Sequence, residues 1–289
     1  MYSFFSRTSL SVLLPLVFGT LVLSGCDLFG TEDNGSPDLK TTGVFVANGG
    51  NFSDQNGTIT VYDPQAMQAS RPAALDQDAF IQSIALQDGR LYTQINTDFE
   101  SGRVNILDAN SYAVTVQSNS LGATRYVAFA NDDPDRAYVS TLNGIVRRFN
   151  PETGALQGSR IFVGPSASEL AATNGKVFAT IPDSSLALTD TLTVNNGSSL
   201  TVFDANAPTD ARSIELGCDG PRAIAQDDED ELVVICTGQT VTTDRGRGDV
   251  LKRTDGSIVF VDPATESVIK RIPLDVQLGS QNGTQVAHY

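Results

Sequence analysis

The chain has no tryptophan, one histidine (His288) and three cysteines among its 289 residues. A single imidazole leaves little material for a His-ligated metal centre or a conventional Ser-His-Asp triad. Without indole rings, a sugar-stacking platform would rest on tyrosine and phenylalanine alone, which argues against carbohydrate binding. No glycine-rich loop stands between a strand and a helix to cradle a phosphate chain. Lysine is scarce, at four of the nineteen basic residues, and thirty-four acids leave a net charge of −15. Such a surface repels nucleic acid and anionic lipid before contact forms. Its acids are read as a hydrated surface rather than as a calcium site, and no metal or other cofactor is expected.

A long uninterrupted apolar run is also missing. Leu10 to Val22 is broken by Ser11, Pro15, Gly19 and Thr20, too short and too mixed for a comfortable membrane span. Preceded by Arg7 and ending at Leu23-Ser24-Gly25-Cys26, it has the form of a cleaved signal at residues 1–25. Leu-Ser-Gly-Cys resembles the bacterial lipobox, which implies that Cys26 is lipidated and anchors the protein to a membrane. Each buried acyl methylene contributes about 0.8 kcal/mol, so several chains hold stably. Residues 26–42 have the composition of a flexible acidic tether, with Gly, Ser, Pro, Asn and four acids and little to bury. The acidic stretch resembles a surface-export signal, whereas Asp27 directly after the cysteine resembles an inner-membrane retention signal. Of the two, the outer membrane at the cell surface is preferred, and the Lys-poor, acid-rich balance is similar to that of salt-adapted bacteria.

What the chain does have is a short phrase repeated five times. Gly57 to Gln65 reads GTITVYDPQ, Gly102 to Asn110 GRVNILDAN, Gly144 to Glu152 GIVRRFNPE, Gly197 to Asn206 GSSLTVFDAN and Gly256 to Ala264 GSIVFVDPA. Each is a glycine, an apolar strand, and an Asp or Asn suited to capping a turn. A second element, apolar then alanine, recurs at Ser83-Ile84-Ala85, Tyr126-Val127-Ala128, Glu169-Leu170-Ala171, Ala223-Ile224-Ala225 and Gln285-Val286-Ala287. Strand units repeating at about 40 to 60 residues predict an all-β fold, a β-propeller of four-stranded antiparallel blades, over residues 43–289. In the second unit, strand a is Gln82 to Leu86, b Arg90 to Gln94, c Arg103 to Leu107 and d Ala113 to Gln117. The first unit starts at strand b and residues 284–289 form a lone strand a. Pairing the two halves closes five blades into a ring without free edges; a truncated larger ring is the alternative.

These modules, with phrases such as GTITVYDPQ and GPRAIAQDDEDELVVICTG (Gly220 to Gly238), resemble the YVTN/YncE-like family of bacterial β-propellers across about residues 43–289. Relatives commonly have seven blades. The resemblance implies a surface lipoprotein, and for some members the capture of a small nutrient such as a corrinoid for an outer-membrane transporter. Lactonase-type propellers, which use carboxylates and amides around the channel, supply an enzymatic alternative in which Glu169 would take part. The reading preferred here is a non-enzymatic binding or scaffolding module, a monomer with an unidentified protein or small-molecule partner.

Cys218 and Cys236 flank a hairpin that turns at DDED, Asp227 to Asp230. In an oxidising compartment a disulfide is expected between them, with two buried free thiols as the alternative. The acids of the a–b turns, Asp132, Asp133, Asp135, Asp227, Asp228 and Asp230, have a sufficient explanation in turn chemistry. So do the Asn-Gly sequons. The b–c loops differ, because those of the fourth and fifth units, after Ile181 and after Thr237, greatly exceed hairpin length. Long loops on a rigid scaffold are favoured places for binding residues. The second of them carries Arg245, Arg247, Lys252 and Arg253, suited to an anion or equally to a solvated, self-paired loop. Arg125 and Arg222 each precede the apolar pair of strand a, aligned with Gln82, Ser168 and Thr284. They are candidate ligand contacts at a central opening, with inter-blade hydrogen bonding as the competing role.

Overall fold

The computed structural model describes residues 43–130, 133, 135–183, 192–244 and 248–278. The leader with Cys26, the tether, Asp132, Arg245, Arg247, His288 and the expected closing strand at residues 284–289 lie outside the described residues. Among the described residues the fold is all-β and antiparallel, with one 3₁₀ turn at Ala73–Leu75.

The first sheet is β1 (Val44–Asn48), β2 (Thr58–Asp63) and β3 (Gln68–Ser70). The second is β4 (Phe80–Gln87), β5 (Arg90–Asn96), β6 (Gly102–Asp108) and β7 (Val114–Gln117). The third is β8 (Thr124–Phe129), β9 (Ala137–Thr141), β10 (Ile145–Phe149) and β11 (Leu156–Phe162). The chain then makes β12 (Leu170–Thr173), β13 (Lys176–Ile181), β14 (Leu192–Val194), β15 (Ser199–Asp204) and β16 (Arg212–Glu215). After these come β17 (Pro221–Gln226), β18 (Leu232–Cys236), β19 (Thr240–Thr242), β20 (Val250–Arg253), β21 (Ser257–Asp262) and β22 (Ser267–Pro273). The fourth sheet is β12-β13-β15-β16 and the fifth β17-β18-β21-β22. The two long b–c connections are more than loops: β14, β19 and β20 pair as a separate three-stranded sheet that ties the fourth and fifth units together.

Burial explains which strands read as continuous apolar runs. The b strands AYVST and KVFATI are covered on both faces, whereas the d strands β7 and β22 are largely exposed. A core fills each space between consecutive sheets. Ile59, Leu75, Ile81 and Leu91 lie between the first and second; Tyr92, Ile106, Val139 and Phe149 between the second and third. Tyr138, Val146, Leu170 and Phe203 follow between the third and fourth, and Phe178, Leu200, Leu232 and Val259 between the fourth and fifth. Each large apolar side chain buried this fully contributes about 1.5–3 kcal/mol. The a strands of the second to fifth sheets also touch in order, β4 with β8, β8 with β12 and β12 with β17, and β4 touches β1, the b strand of the first sheet.

The repeated phrase now has a physical meaning at each of its positions. Its acid or amide closes the c–d turn by accepting two backbone N–H groups. Asp63 takes those of Gln65 and Ala66 at 2.8 and 3.0 Å, Asp108 those of Asn110 and Ser111 at 3.1 and 2.7 Å, and Asn150 those of Glu152 and Thr153 at 2.8 and 2.9 Å. Asp204 and Asp262 do the same for Asn206 and Ala207 and for Ala264 and Thr265, which is the Asx-turn geometry that favours these residues. The glycine is required by close approach. At Gly144 (φ +71) and Gly197, a Cβ would collide with the main-chain oxygens of Gly164 and Ile181 respectively. The glycine carbonyl also accepts an N–H from the d–a connection, from Leu121 to Gly102 and Val163 to Gly144 at 2.9 Å, and from Leu274 to Gly256 at 3.0 Å.

A second periodic contact was not visible in the sequence. The residue opening strand b reaches the c–d turn of the next sheet. Arg90 donates to Glu152 at 2.5 and 3.1 Å, Arg136 to Asn206 at 2.9 Å, and Lys176 pairs with Glu266 at 2.7 Å. Cys218 and Cys236 are joined in a disulfide, packed in the core between the fourth and fifth sheets. The acidic a–b turns are occupied internally: Asp227 accepts the N–H groups of Glu229 and Glu231, and Asp133 pairs with Arg136 at 2.8 Å.

Candidate functional site

The aligned positions at the start of strand a have two separable jobs. Their carbonyls are inter-sheet acceptors: Ser83 Oγ donates to Arg125 O, Ser140 Oγ to Ser168 O at 2.6 Å, and Thr180 Oγ1 to Arg222 O at 3.2 Å. A hydroxyl from one sheet thus fixes the backbone of the next, at the place where a buried carbonyl would otherwise lose its hydration. The side chains take no part in this stitching.

Three consecutive a strands bring titratable side chains within one another's field. Burial, and then the charge of Arg222, push the Arg125 guanidinium below its ordinary value, against the pull of Tyr126 and Asp183. Burial, and then Glu169, push the Tyr126 hydroxyl up, with Arg125 and Arg222 opposing. Arg125 and Tyr126 stand on β8, Glu169 immediately precedes β12, and Arg222 is on β17. These groups, scattered over nearly a hundred residues of sequence, therefore share one patch.

The two arginines differ in how they are held. Arg222 donates through Nε and Nη2 to Asn195 Oδ1 at 3.0 and 2.6 Å. Asn195 follows β14 with φ +56, and its own N–H is fixed by Asp183 Oδ1 at 2.8 Å. Gly220 (φ +67) is needed there, because a Cβ would stand 2.5 Å from that of Asn195. Arg125 has no such support, and its Nε is buried without a hydrogen-bond partner. A desolvated guanidinium beside a second one has donors that could match the two oxygens of an oxyanion.

The remaining candidates fall elsewhere. Glu169 is buried and accepts the Ile224 N–H at 3.0 Å, a structural duty between the fourth and fifth sheets. Gln82 is half-buried on β4. Lys252 and Arg253 stand on β20, all of whose residues are exposed, and Lys252 donates to Gln239 at 2.8 Å; neither shares a hydrogen bond or ion pair with the arginine cluster. Tyr126, Asp183 and Asn195 are members that sequence reasoning missed. Only Asn195 left a signal, in the Asn-Asn-Gly that reads as an ordinary turn.

No protein-family model and no curated protein sequence matches the chain. Among solved structures it is similar to a chain of Kuenenia stuttgartiensis hydrazine synthase, with TM-score 0.52 and 16% identity over 67% of this chain and 49% of that one. It is also similar to a chain of the mitotic checkpoint complex, with TM-score 0.51 and 11% identity over 81% of this chain and 61% of that one. The chain thus spans about half and about three fifths of the lengths of these two neighbours. At such identities the likeness bears on the fold alone, and it is a likeness between β-rich chains.

Proposed function

We propose that this chain is a bacterial cell-envelope lipoprotein whose sheets are the blades of a β-propeller. It acts as a non-enzymatic binding module that holds a small anion at Arg125 and Arg222. Five blades closed by residues 284–289 suit a first sheet that has three strands and lacks an a strand, beside four sheets whose a strands touch in succession. Side chains of the third, fourth and fifth sheets influence one another, as expected where successive a strands line a common axis. The observation that carries the binding reading is Arg125: a buried, partnerless Nε beside another arginine. Leaving such a donor unsatisfied costs about 1–3 kcal/mol, which a bound carboxylate or phosphate would offset. Glu169, engaged with Ile224, is given no catalytic role.

Thermal-shift titration with phosphate, citrate and cobalamin tests the reading. Stabilisation by at least one of them, lost in both Arg125→Gln and Arg222→Gln, supports it. No shift with any of the three, or a shift that survives both substitutions, overturns the anion site. A partner protein co-purifying from the envelope in that case would favour scaffolding. Cys26→Ser is expected to release the protein from membranes, and unchanged membrane association would refute lipidation there.

A further inference from the structure

A groove of about 690 Å³ opens between the second and third sheets, at the end that carries the b–c and d–a connections. Its size lies within the range of about 300–1,000 Å³ usual for small-molecule sites. Phe99, Leu142 and Phe162 line it and are 72%, 37% and 67% exposed, and Arg147, Arg160 and Glu100 stand among them. Two phenylalanines this exposed are unusual beside four well-filled cores, and they are concentrated in one place.

The groove has an apolar part and a cationic part, and both are prepared in advance. Phe99, at the b–c turn of the second sheet, stacks on Phe52 with ring centroids 4.6 Å apart and planes 15° from parallel. Ordering that ring on binding is therefore already done. Ile145 pairs with Phe162 across β10 and β11, so Arg147 and Arg160, two residues from each, share their face. Neither guanidinium has an ion pair among the described residues, a state they share with other arginines such as Arg103 and Arg271 but combine with a place in this groove. Burial and the neighbouring Arg160 push Arg147 below its ordinary value. In a chain with thirty-four acids, two adjacent arginines without a carboxylate partner form a vacant counter-charge. Glu100 leaves a local excess of one positive charge.

We propose that this groove binds a small aromatic carboxylate, its ring against Phe99 and Phe162 and its carboxylate between Arg147 and Arg160. Guanidinium forks match carboxylate oxygens in pairs, and apolar burial supplies the rest of the affinity. None of its lining residues belongs to the Arg125 and Arg222 cluster, so the two sites stand or fall separately.

Calorimetric titration of the full chain with 1-naphthoate tests this, with uncharged 1-naphthamide and inorganic phosphate as comparisons. Saturable one-to-one binding of naphthoate is expected, with naphthamide, and phosphate measured in the Arg222→Gln variant, each at least tenfold weaker. Affinity should fall at least tenfold in Arg147→Gln/Arg160→Gln and in Phe99→Ala/Phe162→Ala. Phe99, Arg160 and Phe162 are exposed and Arg147 is half-buried without an ion pair among the described residues, so melting temperatures should stay within a few degrees. Arg222→Gln should leave naphthoate affinity unchanged. The proposal is overturned by an absence of saturable binding, by affinity retained in both double variants, or by naphthamide, or phosphate in the Arg222→Gln variant, binding as tightly as naphthoate. A loss in Arg222→Gln as large as in the arginine double variant would overturn the separateness of the site.

Discussion

The end of the sheets that carries the a–b and c–d turns and the end that carries the b–c and d–a connections treat basic residues in opposite ways. The exception is Arg148, whose Nε is buried without a partner next to the c–d turn of the third sheet. At the turn end Arg90, Arg136, Lys176 and Arg212 all meet acceptors on the next sheet or its turns. At the connection end Arg125 keeps a buried partnerless Nε, and Arg147 and Arg160 stand near each other with no ion pair among the described residues. Stability needs the first arrangement and gains nothing from the second. The difference teaches where to look for function: positions at which charge has been left uncompensated while thirty-four acids were to hand. The fifth sheet breaks the rule of the turn end. Glu231 stands where the b strands of the second, third and fourth sheets place a cation, and burial with Asp227, Glu229 and Asp262 raises its carboxyl.

The largest expected effect strikes the scaffold common to both ends. Gly144→Ala places a Cβ on the carbonyl of Gly164 at a residue with φ +71, and should lower unfolding free energy by about 3 kcal/mol or more. Urea titration measures this; a loss below ~1 kcal/mol would mean that the backbone relaxes and the repeat glycine is dispensable. Next is the disulfide. Cys218→Ala/Cys236→Ala opens a loop with a sequence separation of 18, for which the chain-entropy argument gives about 3 kcal/mol. Reductant should destabilise the wild type by the same amount and leave the variant untouched.

The charge clamp of the turn end is testable by pH. Arg212, and then Lys176, hold the Glu266 carboxyl below its ordinary 4.5, at about 2. A depressed carboxylate contributes stability that is complete above its unfolded value and is lost as pH falls through the folded one. Glu266→Gln should therefore cost about 1 kcal/mol near neutrality, since solvent screens a pair this close to the surface. That difference should shrink as pH falls from about 4.5 towards about 2. A difference independent of pH over that window would remove the clamp from the account.

The turn chemistry behind this contrast was legible in the sequence while its cross-sheet cation contacts were not, and what was hidden has specific causes. The turn caps at Asp63, Asp108, Asn150, Asp204 and Asp262 act on N–H groups two and three residues away, so a local pattern reveals them. The repeat glycine is equally local in sequence, though the carbonyl it admits is not. The β14-β19-β20 sheet was hidden because Val194 pairs with Thr240 across a whole unit, and short Thr-rich segments between turns read as loop. The groove was hidden by register. Arg147 and Arg148 are adjacent, and the irregularity between Val146 and Arg148 in the pairing with β11 sets their surroundings. One enters the groove, while the other has its Nε buried without a partner. Loop length pointed to the fourth and fifth sheets; the short loops of the second and third are what leave the groove open.

The smallest effect is the most discriminating, because it reverses sign between the two ends. Arg90→Gln removes a donor that holds Glu152 at 2.5 and 3.1 Å, so thermal unfolding should come slightly earlier. Arg125→Gln removes a desolvated charge that sits beside Arg222 and replaces it with a smaller neutral group. Relief of repulsion and of the burial penalty should raise stability by about 0.5–1 kcal/mol in the absence of ligand. The same substitution should abolish any stabilisation by a bound anion, so the ranking of variant and wild type inverts once ligand is added. If Arg125→Gln instead destabilised the free protein as Arg90→Gln does, Arg125 would have a compensating partner. The opposition between a paired end and a receptive end would then fail at its central residue.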